Sequence, residues 1–289
     1  MFFNQCKAVL LLGVLSSFLF LLGYWIGGAS GIVLALIVSF AINFFTYFYS
    51  DKMVLAMYQA QPLNEARYAY IYRIVDELCR REHLPMPKLW YVPGSIANAF
   101  ATGRNPEHAS VAVTQGILDI LNESELRGVL AHEISHIKNR DILVGTIAAT
   151  MAMAIGHLAN MIQWMFIFGS HHRNDEHRGS GVGALIVALI MPLAATLIQL
   201  AISRSREFLA DESGARCCKD PLALAAALEK LHGSVDTAHE APPTPAHAAT
   251  ASLFIVYPFS AGSMINLFST HPPMEERVRR LRAMARRGY

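Results

Sequence analysis

The chain has 289 residues and a nearly balanced charge, 24 Lys plus Arg against 22 Asp plus Glu, or +2 with His neutral. That balance, with no dense basic stripe interleaved with aromatics, excludes a nucleic-acid partner. Hydrophobic residues make up 53% and charged residues only 16%, against roughly 25% charged in an ordinary soluble domain, and with a mean hydropathy of +0.33 the composition is that of a membrane protein.

The first predicted element is a transmembrane helix over Ala8 to Ile26, almost wholly apolar and close to the roughly 20 residues that cross a bilayer core. It runs into Gly27-Gly28-Ala29-Ser30 and then a second apolar stretch, Gly31 to Phe48, so it reads as one leg of a helical hairpin and not as a cleaved signal peptide. Leu63 to Arg81 follows as a helix, with Ala66, Tyr70, Ile74 and Leu78 at helical spacing, and Pro85 and Pro87 stop it. Lys88 to Val92 and Ser110 to Thr114 have the β-branched and aromatic character of strands, with Ala97 to Thr102 between them. Asn122 with Glu125 three positions on is an N-cap signature that opens the next helix. Ile142 to Phe168 and Val182 to Ile202 are the third and fourth predicted spans, with the polar loop Ser170 to Ser180 between them and a Pro192 kink in the last. Gly233 to Thr250 is rich in Pro, Ala and Thr and has no apolar period, so it reads as a loop.

Four crossings put both termini and both long polar segments on one side. Lys7, Lys52, Lys138, Arg140, Arg204 and Arg206 flank the spans there, against Arg173 and Arg178 opposite, which makes the polar side cytoplasmic. Cys79, Cys217 and Cys218 fall on that side, and the four cysteines, Cys6 included, form no CxxC pair, as expected of reduced thiols. The predicted organisation is a hairpin over 1–50, a first catalytic segment over 51–141, an inserted pair of spans over 142–203, and a second catalytic segment over 204–289. The two polar segments are too short for independent domains and are expected to fold together.

The helix after Asn122 carries His132-Glu133-Ile134-Ser135-His136. Positions i and i+4 share a helix face, so both imidazoles reach one metal ion, while Glu133 can reach a water beside the metal and act as general base. Its apolar and small lead-in, Gly128-Val129-Leu130-Ala131, predicts a buried helix whose polar side chains need partners. A catalytic zinc takes three protein ligands and keeps one place for water, and Glu207, just past the fourth span, is the candidate third. Asp211, one turn on, fits a carboxylate that orients a ligating imidazole. Arg127, Lys138, Asn139, Arg140 and Asp141 around the motif argue against an intramembrane site. A scaffold without turnover has no use for Glu133, and a metal transporter should carry polar ligands inside its spans, where His157 stands nearly alone. His171, His172 and His177 read as a solvated loop.

Taken together, the hairpin, Asn98-Ala99-Phe100-Ala101-Thr102-Gly103, Ala131 through His136, Ser203-Arg204 through Asp211, and Thr270-His271-Pro272-Pro273 resemble the HtpX-type membrane zinc metalloproteases, relatives of the prenyl-protein CAAX endopeptidases. The resemblance covers nearly the whole chain. It implies four transmembrane helices with a small gluzincin-like α+β catalytic domain, one zinc held by His132, His136 and Glu207, and Glu133 as general base. It also implies ATP-independent endoproteolysis of damaged or misassembled membrane proteins at the cytoplasmic face of a bacterial inner membrane. With that match, Asn98, Ala99 and Phe100 are expected to bind an extended substrate along a strand edge, and His271 to donate to the oxyanion of the attacked carbonyl.

Overall fold

The computed structural model describes residues 2–151, 204–237, 253–256 and 272–288. Most of the two predicted spans over 142–202, with His157 and the loop histidines, therefore lies outside the described residues, as do His271 and most of the Gly233 to Thr250 loop.

Helix α1 (Phe2–Met57) is two helices joined at Gly28, whose backbone (φ 57, ψ −136) only glycine adopts without strain. The legs pack on each other. Ser39 Oγ donates to Ser16 Oγ at 2.8 Å, and Asn43 Nδ2 reaches the same oxygen at 2.8 Å, so these side chains tie the two legs together inside the hairpin. Ala8, Leu11 and Ala35 are buried, whereas Val33, Leu34, Ile37 and Phe40 face outward. A helix apolar on both faces is one that meets hydrocarbon, and Gly27–Met57 is long and apolar enough to cross a bilayer.

Among the described residues four strands follow, β1 (Gln61–Pro62), β2 (Lys88–Val92), β3 (Ala99–Gly103) and β4 (Ala109–Thr114), in the order β1-β2-β4-β3. β2 and β4 run parallel from Lys88↔Ser110 to Val92↔Thr114, and β3 lies antiparallel on β4 with Ala99 opposite Val113. The helices are α2 (Ala69–Glu82), α3 (Gln115–Ile120), α4 (Glu123–Lys138), α5 (Ile142–Met151), α6 (Arg204–Cys218), α7 (Pro221–Thr237) and α8 (Met274–Arg287). α2 starts later than the apolar spacing predicts, because Leu63 N–H donates to Leu89 O and extends the sheet pairing, after which Asn64 turns the chain.

The pleat divides the core. Val111 and Val113 point to one side of the sheet with Ile74, Leu78, Leu130, Ile134, Leu228 and Leu281, drawn from both polar segments. Ala112 and Phe100 point to the other side, where Val54 and Leu55 from the end of α1 pack against them. The hairpin is thereby fastened to the sheet that flanks the HExxH helix.

Candidate metal centre and active site

A full capping box starts α4: Asn122 Oδ1 accepts from Glu125 N–H at 3.0 Å, and Glu125 Oε2 accepts from Asn122 N–H at 2.9 Å. The helix is buried on nearly every side, and Gly214 on α6 and Gly128 on α4 are the reason it can be. A Cβ on Gly214 would lie 2.8 Å from His132 N, and one on Gly128 would lie 2.9 Å from the Leu224 backbone of α7. Backbones at this separation hold Glu207 of α6 over the imidazoles of α4. Gly214→Ala is therefore expected to destabilise the fold by about 1–3 kcal/mol through overpacking and to reduce metal content, read as a lower Tm and by elemental analysis. An unchanged metal content at lower Tm would show that the helix spacing does not set the site.

The three predicted ligands converge. The Nε2 atoms of His132 and His136 are 3.1 Å apart, and each lies 3.7 Å from a carboxylate oxygen of Glu207. Behind them, both Nδ1 atoms face carboxylates. His132 Nδ1 is 3.0 Å from Asp211 Oδ1, off the straight N–H···O line, and His136 Nδ1 is 3.4 Å from Asp141 Oδ2. A carboxylate at Nδ1 places the ring proton there and leaves Nε2 with its lone pair. Two such nitrogens and a carboxylate aimed at one point repel unless a cation lies between them. Their spacing matches the ligand-to-ligand separation of about 3.4 Å implied by tetrahedral zinc with bonds of about 2.0–2.1 Å. The residues present fit a zinc ion.

Asp211 is held in turn. Arg277, 1% exposed, donates from Nε to Oδ2 and from Nη2 to Oδ1, both at 2.7 Å, and its Nη1 donates to Ile255 O at 2.7 Å. Burial opposes charge on Asp211, but the Arg277 guanidinium and the adjacent His132 ring hold its carboxyl below the usual range. Burial also pulls His132 down, against the Asp211 contact. At His136 burial works the same way, yet Asp141 and the nearby Glu207 and Glu133 carboxylates outweigh it and raise the ring to about 9; a metal ion at Nε2 would displace that proton.

Neither Asp141 nor Arg277 is singled out by sequence reasoning. Asp141 reaches His136 because Arg140 takes φ 56 and Asp141 N–H returns to His136 O at 3.0 Å, a turn that five residues of spacing do not announce. Arg277 is one of six arginines on α8. The available signal was its place on the apolar face one turn before Leu281, where a charge needs a buried partner.

Glu133 is not among the converging ligands. Its Oε2 accepts from Ala101 N–H at 2.9 Å, and burial, reinforced by Glu207 and opposed by His136 and that N–H, pushes its pKa up to about 7. A bound cation would pull it back down. A cavity of about 60 Å³ lies in front, lined by the ligands, Phe100, Ala101, Arg206 and Leu253 to Ile255.

Among the described residues β3 is the sheet edge, paired to β4 alone, but that edge is covered. Ala101 N–H goes to Glu133 and Gly103 N–H to Thr146 Oγ1 at 3.3 Å, since a buried strand edge must find acceptors. Phe100 faces the cavity and Ala99 is wholly buried. The Asn98 side chain is turned to residues 253–255, where Oδ1 accepts from Ile255 N–H at 3.1 Å and Nδ2 donates to Leu253 O at 3.4 Å. In the structure Asn98 thus fixes a wall of the cavity.

Two imidazoles and a carboxylate poised for one metal, with a separate buried carboxylate beside them on the same helix, define a metallopeptidase site, and the comparisons with known proteins agree. Residues 65–285 match the model of peptidase family M48, and the chain belongs to that family; it is a metalloendopeptidase. A protease HtpX homolog of Syntrophobacter fumaroxidans is 51% identical over 283 residues, covering 97% of this chain and 99% of the relative. Protease HtpX homologs of Persephonella marina (51% identity, 98% of each chain) and Aquifex aeolicus (50% identity, 92% of this chain and 88% of the relative) are similarly close. The crystal structure of S. mikatae Ste24p shares the fold at a TM-score of 0.52 and 18% identity, covering 97% of this chain and 66% of that one.

Proposed function

We propose that this chain is a membrane-anchored zinc endopeptidase that cleaves cytoplasmic regions of misfolded or damaged membrane proteins in membrane quality control. The convergence of His132, His136 and Glu207 beside Glu133, on helices packed against a sheet that is fastened to the apolar hairpin, carries the reading. His132, His136 and Glu207 would hold one zinc, which supplies a Lewis acid that polarises a water and the scissile carbonyl. Glu133 takes the water's proton and delivers one to the leaving amine. The Ala101 N–H keeps the carboxylate turned to the cavity, and burial keeps it basic enough to accept. Asp211 and Asp141 hold the imidazoles with Nε2 forward.

The extended substrate enters the cavity beside β3, with Phe100 as a side-chain wall and the buried Ala99 backing it from within the strand. Asn98 acts by pinning residues 253–255 against the cavity. His271 donates to the oxyanion as the carbonyl is attacked. Four spans, the cytoplasmic placement of the site, and a chain divided at about residues 50, 141 and 203 complete the proposal; the charge bias of the flanks supports the orientation.

The test uses the detergent-solubilised full chain and an unfolded polypeptide such as reduced casein. A zinc chelator should abolish internal cleavage and stoichiometric zinc should restore it. Cleavage that survives complete metal removal would sink the zinc mechanism.

A further inference from the structure

A second cavity, about 410 Å³, opens where the outgoing leg of α1 meets one end of the sheet. The register explains what gathers there. Lys88 is opposite Ser110 and Gly103 opposite Ala109, so the start of β2, the end of β3 and the start of β4 form a common rim, with Arg104 next in the chain. Phe44, Tyr47, Phe48, Tyr49 and Lys52 of α1 close the other wall.

Three cations line this space, Lys52, Lys88 and Arg104, against two carboxylates, Asp51 and Glu107. Among the described residues none of the three lies within 4.0 Å of a carboxylate. Two of them sit on ring faces instead. Arg104 Cζ is 5.3 Å from the Phe48 ring centre and Lys52 Nζ is 5.0 Å from that of Tyr49. Ring faces hold a cation in place without using its N–H donors, which stay available to an oxyanion.

The position along α1 identifies the source of that oxyanion. Toward the Gly28 bend the same leg exposes Phe40 (74%), Ile37 and Leu34, a surface for acyl chains. Phe44, Phe45, Tyr47, Phe48 and Tyr49 then form a contiguous set of ring contacts, as aromatic residues do at headgroup depth. The cations come one turn later, at the depth of lipid phosphates. We propose that this cavity binds the phosphodiester of a membrane phospholipid between Lys52, Lys88 and Arg104, with the acyl chains along Phe40 and Phe44 of α1. The inference rests on reading α1 as a membrane hairpin. It adds a fixed point to that reading, because the same sheet carries Lys88 and Arg104 at one end and the Ala101 contact to Glu133 on its edge. A lipid on this rim sets the height of the metal site above the bilayer.

The test has two stages. Alkaline carbonate extraction of membranes comes first: release of the chain overturns both the hairpin and the lipid site, and retention leaves the hairpin standing. Native mass spectrometry of the full chain in non-ionic detergent then follows titration with phosphatidylglycerol and phosphatidylethanolamine. Lys88→Gln/Arg104→Gln is expected to bind about 30-fold more weakly, the combined effect of two interfacial cations, and Lys88→Gln alone about fivefold. Arg279→Gln, the same charge change as Lys88→Gln at an exposed side chain of α8, should bind like the parent. Lys88→Gln alters only an exposed side chain, so it keeps the test open if the double variant fails to fold. Unchanged binding in Lys88→Gln, or an equal loss in Arg279→Gln, overturns the site. The source is decided by sn-glycerol 3-phosphate and inorganic phosphate. Failure of either to displace lipid at millimolar concentration supports the membrane source, and binding of either as tightly as lipid overturns it.

Discussion

Glu133→Gln is expected to keep its zinc and to lose about 10²–10⁴ in kcat/KM, the span that a positioned general base contributes. The loss falls on kcat because Glu133 meets the reacting proton and not the body of the substrate. The amide has almost the volume of the carboxylate, so the buried helix has no cavity to absorb, and its oxygen can still accept from Ala101 N–H, the 2.9 Å contact that fixes the side chain. What disappears is the capacity to take a proton. Burial already costs the parent heavily, holding the carboxyl near 7, and a neutral amide does not carry that cost. Compared metal-free, the variant should therefore be at least as stable as the parent, and with zinc it should be nearly inactive. Zinc by elemental analysis, Tm, and kcat and KM on one substrate separate the outcomes. Undiminished kcat would remove Glu133 from proton transfer, and loss of zinc would place it in the metal site.

How much of this was legible in the sequence depends on how locally each feature is determined. Asn122 and Glu125 cap α4 through neighbours three residues away, and the strand over Lys88 to Val92 falls where its composition places it. The hairpin bend falls at Gly28, inside the uncharged Gly-rich turn. The placement of Glu207 and Asp211 beside the two histidines was readable because their spacing on one helix carries a meaning once a third ligand is sought. β1 was not readable. It has two residues, one of them Pro62, and exists through pairing with Tyr91 and Trp90 across the chain. The covered edge of β3 depends likewise on where α4 and α5 come to rest, and Asp141 on a left-handed turn at Arg140.

Arg277 is the extreme case of such dependence, and its replacement is the second large effect expected. Arg277→Leu leaves Asp211, 3% exposed, without either of its 2.7 Å guanidinium bonds and should cost about 3–5 kcal/mol of stability, the penalty for a buried charge stripped of its partner. Asp211→Asn/Arg277→Leu removes the orphan charge along with the arginine, so most of that stability should return. Zinc affinity should not return with it. His132 would then face a neutral amide in place of the carboxylate that fixes its tautomer, and loss of such a partner weakens metal binding by about 10–100-fold. The two readouts separate two roles of one ion pair, since stability follows the balance of buried charge and metal affinity follows the orientation of His132. Thermal melts of the metal-free chains and competitive zinc titration measure them independently. A single variant as stable as the parent would mean that Asp211 is not buried as a charge. A double variant that binds zinc like the parent would mean that His132 needs no carboxylate behind it.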